Sequence, residues 1–332
     1  MKHKGLLWLT AGLAVCLVLL ASLLSGEVGL SLAELWRGLL DGGDTLAAII
    51  IWDIRLPRTV LAAVTGFGLG VAGAAAQGLL RNPLAEPGIL GAANAAALGA
   101  VIAIYLGLAG TVSFWVPFAA ISGALISVVL LLALAGEGVS SLRLILAGFA
   151  ISALAGAGIA LALNLSPNMF AALEITFWLL GAVENRSWGH VFIALPGFVV
   201  GVALIWANRR ALDALALGED VARSLGVAFR RLRMSMTLGI SFVVGSLVAA
   251  TGVIGFIGLL APHLVRPVTG ALPSRSILPS GLLGAMLLLA ADSLIRLLPT
   301  QSELKLGVVT AFLGVPLLLY LLRRETLVQD MT

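Results

Sequence analysis

Ten apolar stretches, most of them near the length that crosses a bilayer, occupy this chain and leave little room for another architecture. A helix crossing the hydrocarbon core needs about 20 mostly apolar residues, because its backbone N–H and C=O groups must all be bonded within the segment. The stretches run from Leu6 to Leu24, Pro57 to Leu80, Ile89 to Leu108, Ser113 to Ala135 and Leu144 to Leu165. They continue from Trp188 to Ala207, Met234 to Ala250, a short one from Thr251 to Leu264, Ile277 to Leu297, and Gly307 to Leu322. The expectation is an all-α polytopic membrane protein of about ten transmembrane helices, forming a single domain over residues 1–332 with no separate soluble part.

Composition agrees. Charged residues are 11% of the chain, against roughly 25% in soluble domains, and the mean hydropathy is +1.11. Aromatics are 6% while glycines number 39, a balance that suits closely packed membrane helices. The pI near 9.8 does not mark a nucleic-acid binder, because the arginines are scattered between apolar runs and form no basic stripe with aromatics. Cys16 stands alone, which excludes an internal disulfide or a cysteine metal cluster and leaves it a packing residue. Lys2, His3 and Lys4 precede an apolar run too long for a secretory signal and without an A-x-A-like exit, so it reads as an uncleaved first span.

With the N-terminus in the cytoplasm, 14 of the 20 Lys and Arg residues fall inside. Outside remain Arg37, Arg55, Arg58, Arg186, Arg296 and Lys305. The positive-inside rule favours this orientation, with both termini cytoplasmic.

Three connections are too polar or too broken to be plain spans. Arg81 to Gly88 holds two prolines, which exclude a continuous helix. Leu165 to Arg186 is an outer connection with Ser166-Pro167-Asn168 and then an amphipathic piece, and Asn208 to Arg233 is the longest cytoplasmic loop. Within that loop, Leu217 to Gly226 reads as one short helix, with acids in its first turn and glycine past its end. Val221, Ala222 and Leu225 are expected to share an apolar face that needs a protein partner or lipid headgroups, unless the helix merely caps the bundle.

Several functions are excluded or disfavoured. A P-loop needs Gly-Lys followed by Ser or Thr, and none of the lysines, Lys2, Lys4 and Lys305, follows a glycine. The chain is therefore not its own P-loop ATPase. Ion-coupled carriers use buried carboxylates or histidines. Asp292 is the one acid deep in a span, and it reads equally as a proton group or as a partner of a neighbouring helix or of Arg296 one turn on. His190 and His263 have no second His or Cys at ligand spacing, so no metal site is expected. No nucleophile and base pair supports an enzyme.

Arg55-Leu56-Pro57-Arg58, then Gly66, Gly68, Gly70, Gly73 and Gln77, then Arg81-Asn82-Pro83-Leu84-Ala85-Glu86-Pro87-Gly88-Ile89-Leu90-Gly91 together resemble the FecCD family of importer permeases. The block from Gly252 to Arg266 is similar to that family's other long signature. Leu146-Ala147-Gly148, Phe177-Trp178-Leu179-Leu180-Gly181 and Gly314-Val315-Pro316 also match, so the resemblance runs from about Arg55 to Arg324.

The resemblance implies a type II ABC importer permease fold in a bacterial cytoplasmic (inner) membrane, a homodimer of permeases, two cytoplasmic ATPases and an external substrate-binding protein. No cofactor belongs to this chain, ATP and Mg being held by the partner ATPase. Leu217, Gly218, Glu219, Val221, Ala222, Leu225 and Gly226 resemble a coupling helix that fits a cleft on that ATPase. Arg55, Arg58 and Arg296 match arginines that face acidic groups of the binding protein; the alternative is local pairing, Arg55 with Asp53 or Arg296 with Asp292. Asn82, Leu84, Ser140 and Ser141 match the cytoplasmic gate, and Ser166 and Met169 the outer gate, with ordinary packing or turns as the other reading. Gly66, Gly68, Gly70 and Gly73 are expected to pack helices. Among the family's substrates, ferric siderophore, haem and cobalamin, a ferric chelate is the first expectation. An ion-driven carrier is the rival class.

Overall fold

The computed structural model describes residues 2–26, 28–40, 45–108, 114–135, 141–270, 272–298 and 304–329. All regular structure among them is helical. In chain order the helices are α1 (Lys2–Leu24), α2 (Leu32–Leu40), α3 (Leu46–Ile49), α4 (Leu56–Leu80), α5 (Ala92–Tyr105), α6 (Trp115–Ala135), α7 (Ser141–Asn164) and α8 (Met169–Leu179). There follow α9 (Trp188–Ala207), α10 (Arg209–Ala216), α11 (Glu219–Ser224), α12 (Phe229–Thr251), α13 (Ile257–Thr269), α14 (Pro273–Leu297) and α15 (Leu306–Gln329). A π-helical widening, Ile50–Arg55, joins α3 to α4.

Six helices among the described residues are long and apolar enough to cross a membrane, rather than the ten expected. They are Leu46–Leu80, Trp115–Leu134, Ser141–Asn164, Trp188–Ala207, Phe229–Thr251 and Pro273–Leu297. Helix length explains part of the difference. At 1.5 Å per residue the 14-residue α5 and the 13-residue α13 reach only about 20 Å of the roughly 30 Å hydrocarbon thickness. The stretch expected from Thr251 to Leu264 is also displaced. Residues 252–255 are not helical, and α13 begins at Ile257 after Phe256, whose φ is +67°.

Two helices form the centre. In the spanning windows of α4 and α12, 78% of residues are buried, against 33%, 28% and 22% in α6, α7 and α9, which turn apolar faces outward. Small residues give α4 this place. A Cβ at Gly66 would strike the Gly284 carbonyl of α14, one at Gly70 the Ser280 carbonyl, and one at Gly73 the Gly258 carbonyl of α13. Gly68 faces Val243 and Leu247 of α12 and Phe198 of α9. All four are packing residues, as their spacing suggested. Cys16 is free and lies on the exposed side of α1, so the expectation that it packs inside the bundle does not hold.

The connection between α1 and α4 carries more structure than its sequence suggested. Ser31 and Glu34 form a reciprocal cap at the start of α2, with the Ser31 N–H donating to Glu34 Oε2 at 2.8 Å and the Glu34 N–H to Ser31 Oγ at 3.3 Å.

Candidate functional site

The motifs that lie far apart in sequence meet around the break between α12 and α13. The N–H of Phe256 donates to Glu86 Oε1 at 2.8 Å, and the Pro87 ring lies over Gly258, where a Cβ would fall 2.6 Å from Pro87 Cδ. On the opposite side of the same loop, the 3-10 turn Pro87–Leu90 presses on α7. A Cβ at Gly148 would sit 2.9 Å from Leu90 Cα. The tail of α8 closes the junction from another direction. Gly181, at φ +66°, lets the chain turn so that the Ala182 N–H donates to the Thr251 carbonyl at 2.7 Å. The Gly181 carbonyl then accepts from the Gly307 N–H of α15 at 3.3 Å.

Farther along α15, a Cβ at Gly314 would fall 2.6 Å from Phe256 Cβ. Phe256 therefore holds a left-handed backbone, unfavourable for a bulky residue, while Glu86 and Gly314 fix it from two sides. Broken helices at membrane depth are tolerated where protein surrounds the freed backbone groups, and this break is contacted by three other segments, the turn at Glu86, the tail of α8 and α15.

The residues expected at a cytoplasmic gate lie at the exit of α4. Asn82 Oδ1 accepts from the Leu84 N–H at 2.9 Å, building the turn, and Leu84 is exposed. Ser141 begins α7 and is half-buried, whereas Ser140 lies outside the described residues. Where an outer gate was expected, Ser166 Oγ donates to the Asn168 carbonyl at 3.1 Å, and Asn168 caps α8 by accepting from the Ala171 N–H at 2.9 Å. Met169 and Phe170 at the tip of α8 are exposed. Lys305 bonds Glu184 at 2.8 Å and lies 5.7 Å from the Phe177 ring centroid, tying the outer connection to the foot of α15.

The proposed coupling segment is shorter than expected and faces differently. Its helix, α11, covers Glu219–Ser224, bracketed by Gly218 at φ +112° and Gly226 at φ +82°. Ala222 is fully buried and so does not share an outward face with Val221 and Leu225. The exposed apolar row is instead Leu217, Val221 and Leu225, with Leu217 67% and Leu225 63% exposed. Val221 and Leu225, four residues apart and joined by the Leu225 N–H on the Val221 carbonyl, share one side of α11, Leu217 stands exposed just before it, and Ala222 seats the helix on the protein. Arg233 holds Glu219 at 2.9 Å and lies 5.5 Å from the Phe229 ring centroid, which fixes the first turn.

The three arginines expected on the outer side are brought together, but inward. Arg55 is only 4% exposed and Arg58 9%. Arg58 Nε and one of its terminal nitrogens bond Asp292 Oδ1 at 3.0 and 2.8 Å, and Arg296 Nε bonds Oδ2 at 3.0 Å. Arg296 also donates to the Ser22 and Ser25 carbonyls at 2.9 and 3.1 Å, and Arg55 to those of Leu23 and Leu24 at 2.7 and 3.1 Å and of Val28. These are the last carbonyls of α1 and the residues after it, which no helical N–H can reach and toward which the helix dipole is negative. Of the local pairings weighed above, Arg296 with Asp292 is present, while Arg55 uses backbone carbonyls.

Sequence reasoning missed three of these roles. Ser22, whose Oγ accepts from Arg296 at 3.0 Å, gave no signal in an ordinary apolar run. Phe256 is not a residue type expected at positive φ. Glu86 was more accessible, as the lone acid between two prolines in a quoted motif. Among the described residues, no group of three His, Cys, Asp or Glu is placed to hold a metal ion.

The FecCD transport family matches residues 13–324. An uncharacterized ABC transporter permease protein, YvrB of Bacillus subtilis, is 39% identical over 294 residues, covering 87% of this chain and 82% of the relative. The vitamin B12 import system permease protein BtuC of Vibrio cholerae is 39% identical over 300 residues, covering 89% of each. A solved structure described as an inward-facing conformation of a metal-chelate type ABC transporter superposes with a TM-score of 0.86 at 28% identity, covering 95% of this chain and 98% of that one. The chain is a multi-pass membrane protein and belongs to the FecCD family of ABC importer permeases.

Proposed function

We propose that this chain is the membrane-spanning subunit of an ATP-driven importer that moves a large metal chelate, cobalamin in the first instance, from an external binding protein to the cytoplasm by alternating access. The observation that carries the energy-coupling half is the exposed apolar side chains of Val221 and Leu225 on a short helix, with Leu217 just before it, anchored by Ala222 and the Glu219–Arg233 pair. An apolar row held rigidly outside the bundle suits a cleft on a partner protein. ATP and Mg belong to that partner, a separate ATPase.

Identity to vitamin B12 permeases moves cobalamin ahead of the ferric chelate favoured by sequence alone. A ferric siderophore or haem is the second reading, supported by likeness to the metal-chelate type transporter. The proposal includes ten crossings in one domain, the shorter helices spanning beside longer neighbours, in a bacterial inner membrane with both termini cytoplasmic. A second copy of the chain suits the outward apolar side chains of α7, α8 and α15, such as Phe149, Phe170 and Phe312. The binding protein docks at the end where Arg55, Arg58 and Arg296 lie, these residues shaping that surface from beneath.

Uptake by the permease, ATPase and binding protein reconstituted in vesicles tests the substrate. Cobalamin accumulation that requires ATP supports the first reading, and accumulation of a ferric chelate or haem instead supports the second. Uptake driven by a proton or sodium gradient without the ATPase contradicts both. Orientation has its own test: Ser224→Cys and Ser302→Cys, each in a Cys16→Ala background, should label from opposite sides of the membrane. Labelling from one side refutes the topology.

A further inference from the structure

Glu86 sits where two mobile-looking pieces of an importer have to agree. Its backbone belongs to the turn that carries Asn82 and Leu84, its carboxylate accepts from the N–H of Phe256 at the head of α13, and the next residue, Pro87, covers Gly258 in that helix's first turn. The break just before Phe256 is itself pinned to the tail of α8, through the Ala182 N–H on the Thr251 carbonyl, at 2.7 Å. One chain of contacts thus runs from the outer segment α8, through residues 251–256, to the cytoplasmic turn at Asn82. Among the described residues, Glu86 supplies the side-chain hydrogen bond between the turn and the break, and its carboxyl group stands at the positive end of α13. A carboxylate bond to a backbone N–H is directional and about twice as strong as a neutral one, whereas the neighbouring contacts are small-residue packing that can slide.

We propose that Glu86 is a positioning residue that locks the 81–91 turn to the head of α13, so that α8 and the cytoplasmic turn move as one unit during transport. This rests on the importer reading above, but its first readout does not. Hydrogen exchange of the permease–ATPase complex in nanodiscs reports the lock directly, through peptides covering 81–91 and 252–260. Glu86→Ala should speed exchange in both peptides together, by about tenfold for a lost charge-assisted bond. Glu86→Asp, which withdraws the carboxylate by one methylene, should do the same. Glu86→Gln keeps a neutral acceptor at the same reach and should leave exchange between that of wild type and that of Glu86→Ala.

The second readout is function. Glu86→Ala and Glu86→Asp should lose binding-protein stimulation of ATP hydrolysis and uptake while basal hydrolysis and assembly persist, and Glu86→Gln should recover most of both. A merely structural role would lower basal hydrolysis and assembly in parallel and would not be rescued by Gln. Unchanged exchange in Glu86→Ala, or stimulation and uptake at wild-type level despite faster exchange, overturns the proposal. If Glu86→Ala does not assemble, Glu86→Asp against Glu86→Gln decides by the same criteria. Absence of ATP-dependent uptake in the wild type strikes the importer reading alone, since the exchange experiment still decides whether the lock exists.

Discussion

The two ends of this molecule were both expected to meet partners, and they are built in opposite ways. At one end, Arg55, Arg58 and Arg296 turn inward onto Asp292 and the last carbonyls of α1. At the other, Val221 and Leu225 stand in the open on a helix whose other face is buried through Ala222, with Leu217 exposed just before it. Charge usually marks a surface and apolarity a core, yet here buried arginines hold helices together while leucines stand exposed. The reason is the solvent. A guanidinium at a membrane helix end finds backbone carbonyls in place of water, and the carbonyls of α1 need donors as much as the arginines need acceptors.

This contrast predicts that the outer cluster is structural. Asp292→Ala leaves Arg58 and Arg296 facing each other in a site where the aspartate is 1% exposed. Breaking a buried ion pair by removing one partner costs on the order of 3–5 kcal/mol. The expected result is a large fall in the thermal unfolding midpoint and in the yield of assembled complex. A variant as stable as wild type would place the cluster among the dispensable pairs.

Much of this was legible in sequence and some was not. Every long apolar stretch carries a helix because spanning segments must satisfy their own backbone, which makes hydropathy a strong reporter. The α4 glycines were legible too, since four of them close together suit only close helix approach. The break before Phe256 was hidden, because Gly252 to Ala261 is apolar throughout and hydropathy does not register backbone direction. Ala222 was assigned to the wrong face because a six-residue helix between two positive-φ glycines has a phase that spacing alone does not set. The inward turn of the arginines depended on where α1 ends relative to α4 and α14, a tertiary fact that spacing around Arg55 does not contain.

Charge reversal sharpens the comparison with an intermediate effect. Arg55→Glu, Arg58→Glu and Arg296→Glu should each lower assembly at both low and high salt, because each places a carboxylate where backbone carbonyls or Asp292 stand. Direct docking predicts a different pattern: an intact complex whose affinity for the binding protein falls, most at low salt. Size-exclusion profiles and binding-protein affinity measured together separate the two. An assembled Arg296→Glu complex with weakened, salt-sensitive binding would return these residues to the docking interface.

The smallest effect on stability and the largest on function belong to Leu225. It is 63% exposed, so Leu225→Glu should change stability by no more than about 0.5 kcal/mol while placing a charge on the surface proposed to meet the ATPase. The direct test is uptake and substrate-stimulated ATP hydrolysis by the reconstituted Leu225→Glu complex, with assembly checked in the same preparation. A coupling helix at this position requires both activities to be lost with the fold and the complex intact. Wild-type uptake and stimulation in an intact Leu225→Glu complex would contradict it.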